Sequence, residues 1–593
     1  MTKAVVCNMS KTAFRQRILE FIPISALLLA LALYFYNSIT YYAGAGRDDT
    51  FIALWTGISL AEGHGLVNYN FEPVEMSSSL LHTLMAAVIH TFAPDFIYTL
   101  NKALGLIAGA ALLLMLHQKR HLLFGRDFAG IIAMVITYLG LANSRSWLYW
   151  NLGGLETPFQ TLIIFLYGLY LIEFWRTPVR VLPLVALQIL YVLVRPEGFI
   201  LILFTSFFIF ARAKFSQPLH RKQTVMLIGI PSFIFFSILI ARYLHFGLLF
   251  PNPVYAKVYF GIDNNTISTI SAGIKYLRGF YTSSPYIATQ LAILTVLLIH
   301  SARFLINQWD KPASDRSTPE FIFVLWPGLI LFNHLFVIGT GGDWMEFFRF
   351  IAPVVPFLVI LTTCFAYRTI NDVVKKHNLS RPYFEAFTNV ALGVLFLILI
   401  ATNSGQRDNY DAQDFHNCSE VLDVSKVRSI SLDYHRLDEK LILMNCAGSR
   451  DWNGLMLFIT DELPKAYELL DRNITIAAFQ MGFFPYYVRK VNPTMKIEFI
   501  DTLGIADSNI ARMEGPRESY GLSEGTRIAD ILAGKSGELS NYILSRNPNM
   551  IYVLYATNRR RQALAELGWA ISWDKPGAVI FIKNTHRNDG KPK

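Results

Sequence analysis

The chain has 593 residues, 53% from the hydrophobic set and only 16% charged, with a formal net charge of +10. An average soluble protein carries roughly 25% charged residues, so a wholly soluble chain is excluded. Lys and Arg fall in short clusters between apolar runs and no nucleic-acid motif accompanies them, which excludes a nucleic-acid binder and leaves membrane topology as the source of the charge.

Lys3, Lys11, Arg15 and Arg17 precede the first apolar run, which is long and lacks a small-x-small cleavage site. The sequence therefore predicts an uncleaved first span rather than a signal peptide. With the N-terminus cytoplasmic, crossings are expected near 21–38, 97–116, 128–143, 158–174, 181–195, 197–211, 224–243, 284–302, 320–338, 350–367 and 384–402, eleven in all. The segment 80–92 is short and interrupted by histidines, and reads as a partly buried juxtamembrane helix. Each inside loop then holds basic residues, from Lys119 and Arg120 through Arg176 and Arg180 to Lys375, Lys376 and Arg381, as the positive-inside rule requires.

The outside loops collect different residues: Asp48 and Asp49, Glu156 in GGLETP, Arg195 and Glu197 in VRPEG, Lys257 in FPNPVYAK, and Asp343, Glu346 and Arg349 in GGDWMEFFRF. Carboxylates beside a bilayer are costly, so this gathering predicts an outward-facing polar site.

Its first member is the sequence GRDDT at 46–50. Phe51, Ile52, Trp55, Ile58 and Leu60 recur at near-helical spacing up to Gly63, predicting a short amphipathic helix on the bilayer surface. Asp49 stands where an N-cap accepts a backbone N–H. Capping needs one aspartate, so Asp48 is the stronger candidate for chemistry, as a general base toward a hydroxyl. The pair is also the one expected place for a divalent cation, although two carboxylates do not establish a metal site. Downstream, His64 and Glu75 are candidate substrate contacts; His64 equally fits a solvated loop histidine.

After about residue 402 the composition turns polar, dividing the chain into a multi-span domain, 1–402, with its catalytic outer loop at 40–80, and a soluble domain, 403–593. Apolar runs at 441–445, 474–479, 497–501, 550–556 and 578–583 predict strands of an α/β fold. Asp501, in FIDTLG, is expected to cap a turn there. The four cysteines lack zinc or CxxC spacing, and Cys418 with Cys446, on the outer side, are expected to pair.

These motifs resemble, in order, those of the GT-C membrane glycosyltransferases that use polyprenyl-phosphate sugars, and within them the mycobacterial terminal β-arabinofuranosyltransferase group. The matching pieces are the aspartate pair, AEGHGLVNYN with Val74 and Glu75, GGLETP, RPEG, FPNPVYAK, GGDWMEFFRFIAPVVP, and the C-terminal stretches FQMGFFPYY and FIDTLGIAD. Ser77 to Ser79 depart from the group's more usual Thr-Ser. The resemblance implies a GT-C-like membrane domain of about 11 spans in a bacterial plasma membrane, its site and C-terminal domain extracytoplasmic. It implies inverting transfer of a sugar, arabinofuranose by this likeness, from a polyprenyl phosphate to a glycan or protein acceptor. Asp48 and Asp49 would then be catalytic, Lys257, Arg349 and Arg195 would face the donor phosphate, and Glu75, His64, Glu156, Glu197 and Asp343 would line the substrate. No cofactor is called for beyond that divalent cation. The alternative reading is a transporter or flippase of a lipid-linked glycan.

Overall fold

The computed structural model describes residues 2–42, 46, 48–125, 127–176, 181–215, 218–257, 265–309, 322–343, 345–376, 393–394, 452–478, 481–513, 527–553, 557–575 and 578–583. Among these, eight helices are long and apolar enough to cross a membrane: Phe21–Tyr42, Pro94–Gln118, Thr157–Trp175, Pro196–Lys214, Arg221–Phe246, Pro285–Asn307, Ile322–Thr340 and Ala352–Thr369. This is the pattern of a polytopic membrane protein.

The expected eleven spans are thus met by eight among the described residues. One further pair, Ala129–Ala142 and Arg145–Leu152, is bent by 53° and counts as a ninth only if both halves form one crossing. The break falls at Asn143 and Ser144, where the Asn143 side-chain amide donates to the Leu139 carbonyl and satisfies the first half's C-terminus. The expected 181–195 crossing is only the 13-residue helix Leu182–Val194, about 20 Å long against a hydrocarbon core of roughly 30 Å. The eleventh, 384–402, lies outside the described residues apart from 393–394.

Four helices shape the first outer region: α1 (Thr2–Tyr42), α2 (Asp48–Ala61), α3 (Leu80–Phe92) and α4 (Ile97–Gln118). The short helix at 80–92 is present as expected, with Ser79 as its N-cap accepting from the His82 amide. The expectation for α2 is overturned. Its residues 48, 50–57 and 59 are all buried, so it is no surface helix. Two contacts explain this. Gly57 lets α2 lie against α3 so closely that an added Cβ would sit 2.5 Å from the Ala86 Cβ. Phe51 is fully buried, stacks on Tyr98 at 5.5 Å, and meets Phe483, Tyr486 and Tyr487 edge-on or tilted at 5.2–5.8 Å. Its apolar stripe faces protein where lipid was expected.

Phe483, Tyr486 and Tyr487 belong to the C-terminal region, whose five strands, β1 (Ile474–Ala478), β2 (Ile497–Asp501), β3 (Met550–Val553), β4 (Trp569–Lys575) and β5 (Ala578–Lys583), form one sheet in the order β2-β1-β3-β5-β4. β1 pairs in parallel with β2 and β3, and β5 pairs antiparallel with β3 and β4. Four of the five predicted runs are strands; the fifth, 441–445, lies outside the described residues, as do Cys418 and Cys446. β4 escaped prediction because Trp-Ala-Ile-Ser-Trp-Asp-Lys mixes polar residues into an exposed edge strand, with Ile571 39% exposed. Buried residues of α2, the following loop and the sheet form one continuous apolar core.

Candidate functional site

The site begins with the aspartate pair. The helix α2 starts at Asp48, so both carboxylates lie in its first turn, where the helix dipole favours negative charge. Asp49 is therefore not the N-cap. Asp48 is the capping residue, but of another helix: its Oδ2 accepts from the Gly482 amide at 2.9 Å and its Oδ1 from the Phe483 amide at 2.8 Å, at the start of helix Phe483–Val491. Those amides have no partner within their own helix. The carboxylate sits just past the C-terminal end of β1, where open α/β sheets place anionic ligands on a helix N-terminus. A side chain from the first outer loop occupies that position. An added Cβ at Gly482 would lie 1.9 Å from the Asp48 carbonyl oxygen, so the approach depends on glycine.

The rest of the outer loop docks on the same edge. Asn70 donates to the Phe499 carbonyl at 2.8 Å and accepts from the Phe499 amide at 2.9 Å, imitating a neighbouring strand beside β2. Asn68 donates to the Ala506 carbonyl, Tyr69 to the Gly482 carbonyl, and Arg489 to the Tyr69 carbonyl. From the membrane domain, Asn252 of FPNPVYAK donates to the carbonyls of Gly504 and Ile505 at 2.6 and 2.9 Å. Asp501 closes that loop, accepting from the amides of Leu503 and Ala506, and burial pushes its carboxyl up to about 7 against those bonds. It caps a turn, as expected.

Asp49, the next residue, turns away from the sheet. Its carboxylate is 3.9 Å from Arg349 Nη1, and its side chain is 18% exposed where those of Arg349 and Asp343 are 8% and 5%. Arg349 Nε lies 2.6 Å from Asp343 Oδ2, at an angle that makes this an ion pair without a formed hydrogen bond. Gly341 and Gly342 precede Asp343 with φ of 80° and 81°, and a Cβ on Gly342 would meet Tyr276 at 2.7 Å. Two consecutive phenylalanines, Phe347 and Phe348, also hold the left-handed conformation, φ 50° and 53°, immediately before Arg349. Side chains there cost about 1–3 kcal/mol each, and their surroundings must hold them. Ser146 and Trp150 both donate to the Phe347 carbonyl, at 2.6 and 3.2 Å.

A second arginine completes the cluster. Arg195 donates from Nη1 to Glu156 at 2.5 Å and from Nε to Glu197 at 2.6 Å. Its guanidinium lies 5.5 Å from the Phe350 ring, and that of Arg349 lies 5.0 Å from the same ring. Burial raises the Glu156 carboxyl, but Arg195, Arg349 and His82 together hold it down at about 2. The GGLE loop that carries Glu156 is fixed from both sides: Thr50 of α2 donates to the Gly153 carbonyl, and Asn101 of α4 donates to that of Gly154 at 2.7 Å while bonding His82 at 2.7 Å.

The structure thus brings Asp49, Glu156, Arg195, Glu197, Asp343 and Arg349 together. Glu75 stands apart, in a two-point pair with Arg242 at 2.7 and 2.9 Å, both side chains buried. His64 is half exposed beside Glu62. The side chain of Lys257 and the whole of Trp344 lie outside the described residues. Trp147 and Trp150 are buried in the core. Among the described residues no three His, Cys, Asp or Glu side chains could hold a metal ion.

Sequence reasoning missed Arg242, His82, Asn101 and Phe350. Arg242 was legible in principle as an arginine inside an otherwise apolar span, and Phe350 as the last residue of GGDWMEFFRF; His82 and Asn101 lie in none of the motifs.

Comparison with known proteins finds no family model that matches this chain and no curated protein similar to it.

Proposed function

We propose that this chain is an inverting membrane glycosyltransferase that moves a sugar, arabinofuranose by resemblance, from a polyprenyl phosphate to a glycan or protein acceptor on the extracytoplasmic side of a bacterial membrane. The observation that carries the reading is Asp49 beside the buried Arg349, whose guanidinium shares the Phe350 ring with that of the buried Arg195. Base and phosphate-binding cations are what a single displacement needs.

The chemistry assigns Asp49 rather than Asp48 as the base. Asp48 has both oxygens committed to backbone amides, whereas Asp49 is the more exposed and its ion pair is long. An acceptor hydroxyl oxygen attacks the anomeric carbon as the bond to the phosphate oxygen breaks. Asp49 takes the hydroxyl proton, and the departing electron pair stays on the phosphate. Arg349 and Arg195 offset that charge, and the carboxylates of Asp343, Asp49, Glu156 and Glu197 orient their guanidiniums. A retaining route would need a nucleophilic carboxylate of its own, and Asp343 and Glu156 are both engaged by arginine.

A transporter would place its ionisable groups near the bilayer midplane. Here Asp49, Glu156, Arg195, Asp343 and Arg349 lie outside all eight candidate spans, and Glu197 is the second residue of one, Pro196–Lys214. The test is donor turnover by the purified chain in nanodiscs with a panel of polyprenyl-phosphate sugars. Turnover of one sugar that is lost in Asp49→Asn supports the proposal; absence of turnover throughout, or an undiminished rate in that variant, removes it.

A further inference from the structure

The one helix expected to lie on the bilayer surface, α2, is buried, and a different helix has the required faces. Residues Asn265–Tyr281 form an amphipathic helix of 17 residues ahead of the span beginning at Pro285. At roughly 100° per residue its side chains fall into three sectors. Gly273, Tyr276 and Phe280 are buried and form the first. Ile267, Ile270 and Ile274 line a second and are 74%, 40% and 53% exposed. Ser271, Lys275 and Arg278 are exposed and form the third.

The protein-facing sector is tightly fixed. A Cβ on Gly273 would lie 2.6 Å from the Ile338 Cα, so the helix lies directly against helix Ile322–Thr340. Tyr276 and Phe280 both pack on Phe348 at 5.4 Å, and the Phe350 amide donates to the Tyr276 hydroxyl. Phe348 and Phe350 flank Arg349.

Three exposed isoleucines in one row, beside a row holding two cations, match the boundary between hydrocarbon and headgroups. Continuity points the same way: the next span, Pro285–Asn307, is only 22% buried within the protein, which leaves most of it for lipid. We propose that the Asn265–Tyr281 helix lies in the membrane interface, with its isoleucines in the acyl region and Lys275 and Arg278 on anionic phospholipid headgroups, and so holds the Arg349 turn at headgroup depth. The inference does not depend on the transfer reaction proposed above.

The test uses the full chain in nanodiscs, with single cysteines at positions 267, 270, 274, 271 and 275 carrying an environment-sensitive fluorophore, corrected for labelling of the parent protein's own cysteines. Lipids brominated in the acyl chain should cause loss of fluorescence at 267, 270 and 274 and leave 271 and 275 bright. Quenching at none of the five, or equally at all five, overturns the proposal. A second measurement reads the headgroup contact: the melting temperature of the parent should rise when anionic lipid replaces zwitterionic lipid, and Lys275→Glu with Arg278→Glu should lose part of that rise. An equal rise in parent and variant would overturn the headgroup contact, and both variants change exposed residues only.

Discussion

Removing the Asp48 carboxylate should detach the first outer loop from the C-terminal sheet. In Asp48→Ala two hydrogen bonds to an ionised acceptor vanish, those to the amides of Gly482 and Phe483, and both amides are left at a buried helix start. Bonds to charged groups contribute about 1.5–3 kcal/mol each, so the loss is about 3–6 kcal/mol if the two act independently, and less if the helix end re-solvates. Asp48→Asn keeps one acceptor oxygen and turns the other into a donor facing an amide, so about half of that loss is expected. The neighbouring change Gly482→Ala should be at least as damaging, because the new Cβ would lie 1.9 Å from a backbone oxygen that has no rotamer to escape into. Hydrogen exchange read by mass spectrometry is the direct assay: peptides covering 481–491 should be protected in the parent and exchange faster in Asp48→Ala, with proteolysis of the C-terminal region accelerating in parallel. Unchanged exchange and unchanged melting in Asp48→Ala would refute the docking role and return Asp48 to the chemistry.

Asp49→Asn should abolish sugar transfer while leaving exchange at 481–491 at the parent rate, which separates it from its neighbour; faster exchange there would mean that the two aspartates share one structural task. Glu156 has a carboxyl held at about 2, below the 4.5 of a free glutamate, so its stabilisation is fully present above 4.5 and lost as pH falls toward 2. The shift corresponds to about 3 kcal/mol, and melting temperature should drop over that interval in the parent but far less in Glu156→Gln. Arg242→Leu leaves the Glu75 carboxylate buried without its two-point partner and should cost about 3–5 kcal/mol, whereas Arg242→Leu combined with Glu75→Leu should recover most of it. A double variant as unstable as the single one would show that packing, and not the ion pair, is what Arg242 supplies.

Residues that gather by topology were legible in the sequence, and residues that pair across it were not. Alternating apolar runs and basic loops predict one shared face for Glu156, Arg195, Glu197, Asp343 and Arg349, and the structure clusters these five residues. Strand patterns likewise located β1, β2, β3 and β5. The Asp48 contact could not be read: its partners lie more than 430 positions away and are backbone amides, which every residue but proline possesses. The reading of α2 failed for a related reason. An apolar stripe on a helix states that something apolar covers it, and the same stripe serves lipid or a cluster of Phe and Tyr rings. In α2 the rings of Phe483, Tyr486 and Tyr487 take that place, while on Asn265–Tyr281 serines set between the isoleucines break up the apolar run in the sequence.

The adjacency of the two aspartates follows from this division. Successive residues on a helix point roughly 100° apart, so two acids in one first turn reach two different surfaces. Asp48 reaches the start of helix Phe483–Val491, and Asp49 reaches toward Arg349. Neither can move without the other, because both ride on the α2 backbone, which Phe51 and Gly57 fix in the core. Any shift of the C-terminal sheet is therefore passed to Asp49 through a single turn of helix. If that sheet carries or covers the acceptor, its docking and the placement of the base are one event, and variants that loosen the Asp48 contact should slow transfer even though Asp48 touches no substrate. The measurable sign is a fall in turnover number across Asp48→Asn and Asp48→Ala that tracks exchange at 481–491, with the donor's KM unchanged. A fall in donor affinity instead would place Asp48 at the lipid phosphate and break the proposed division.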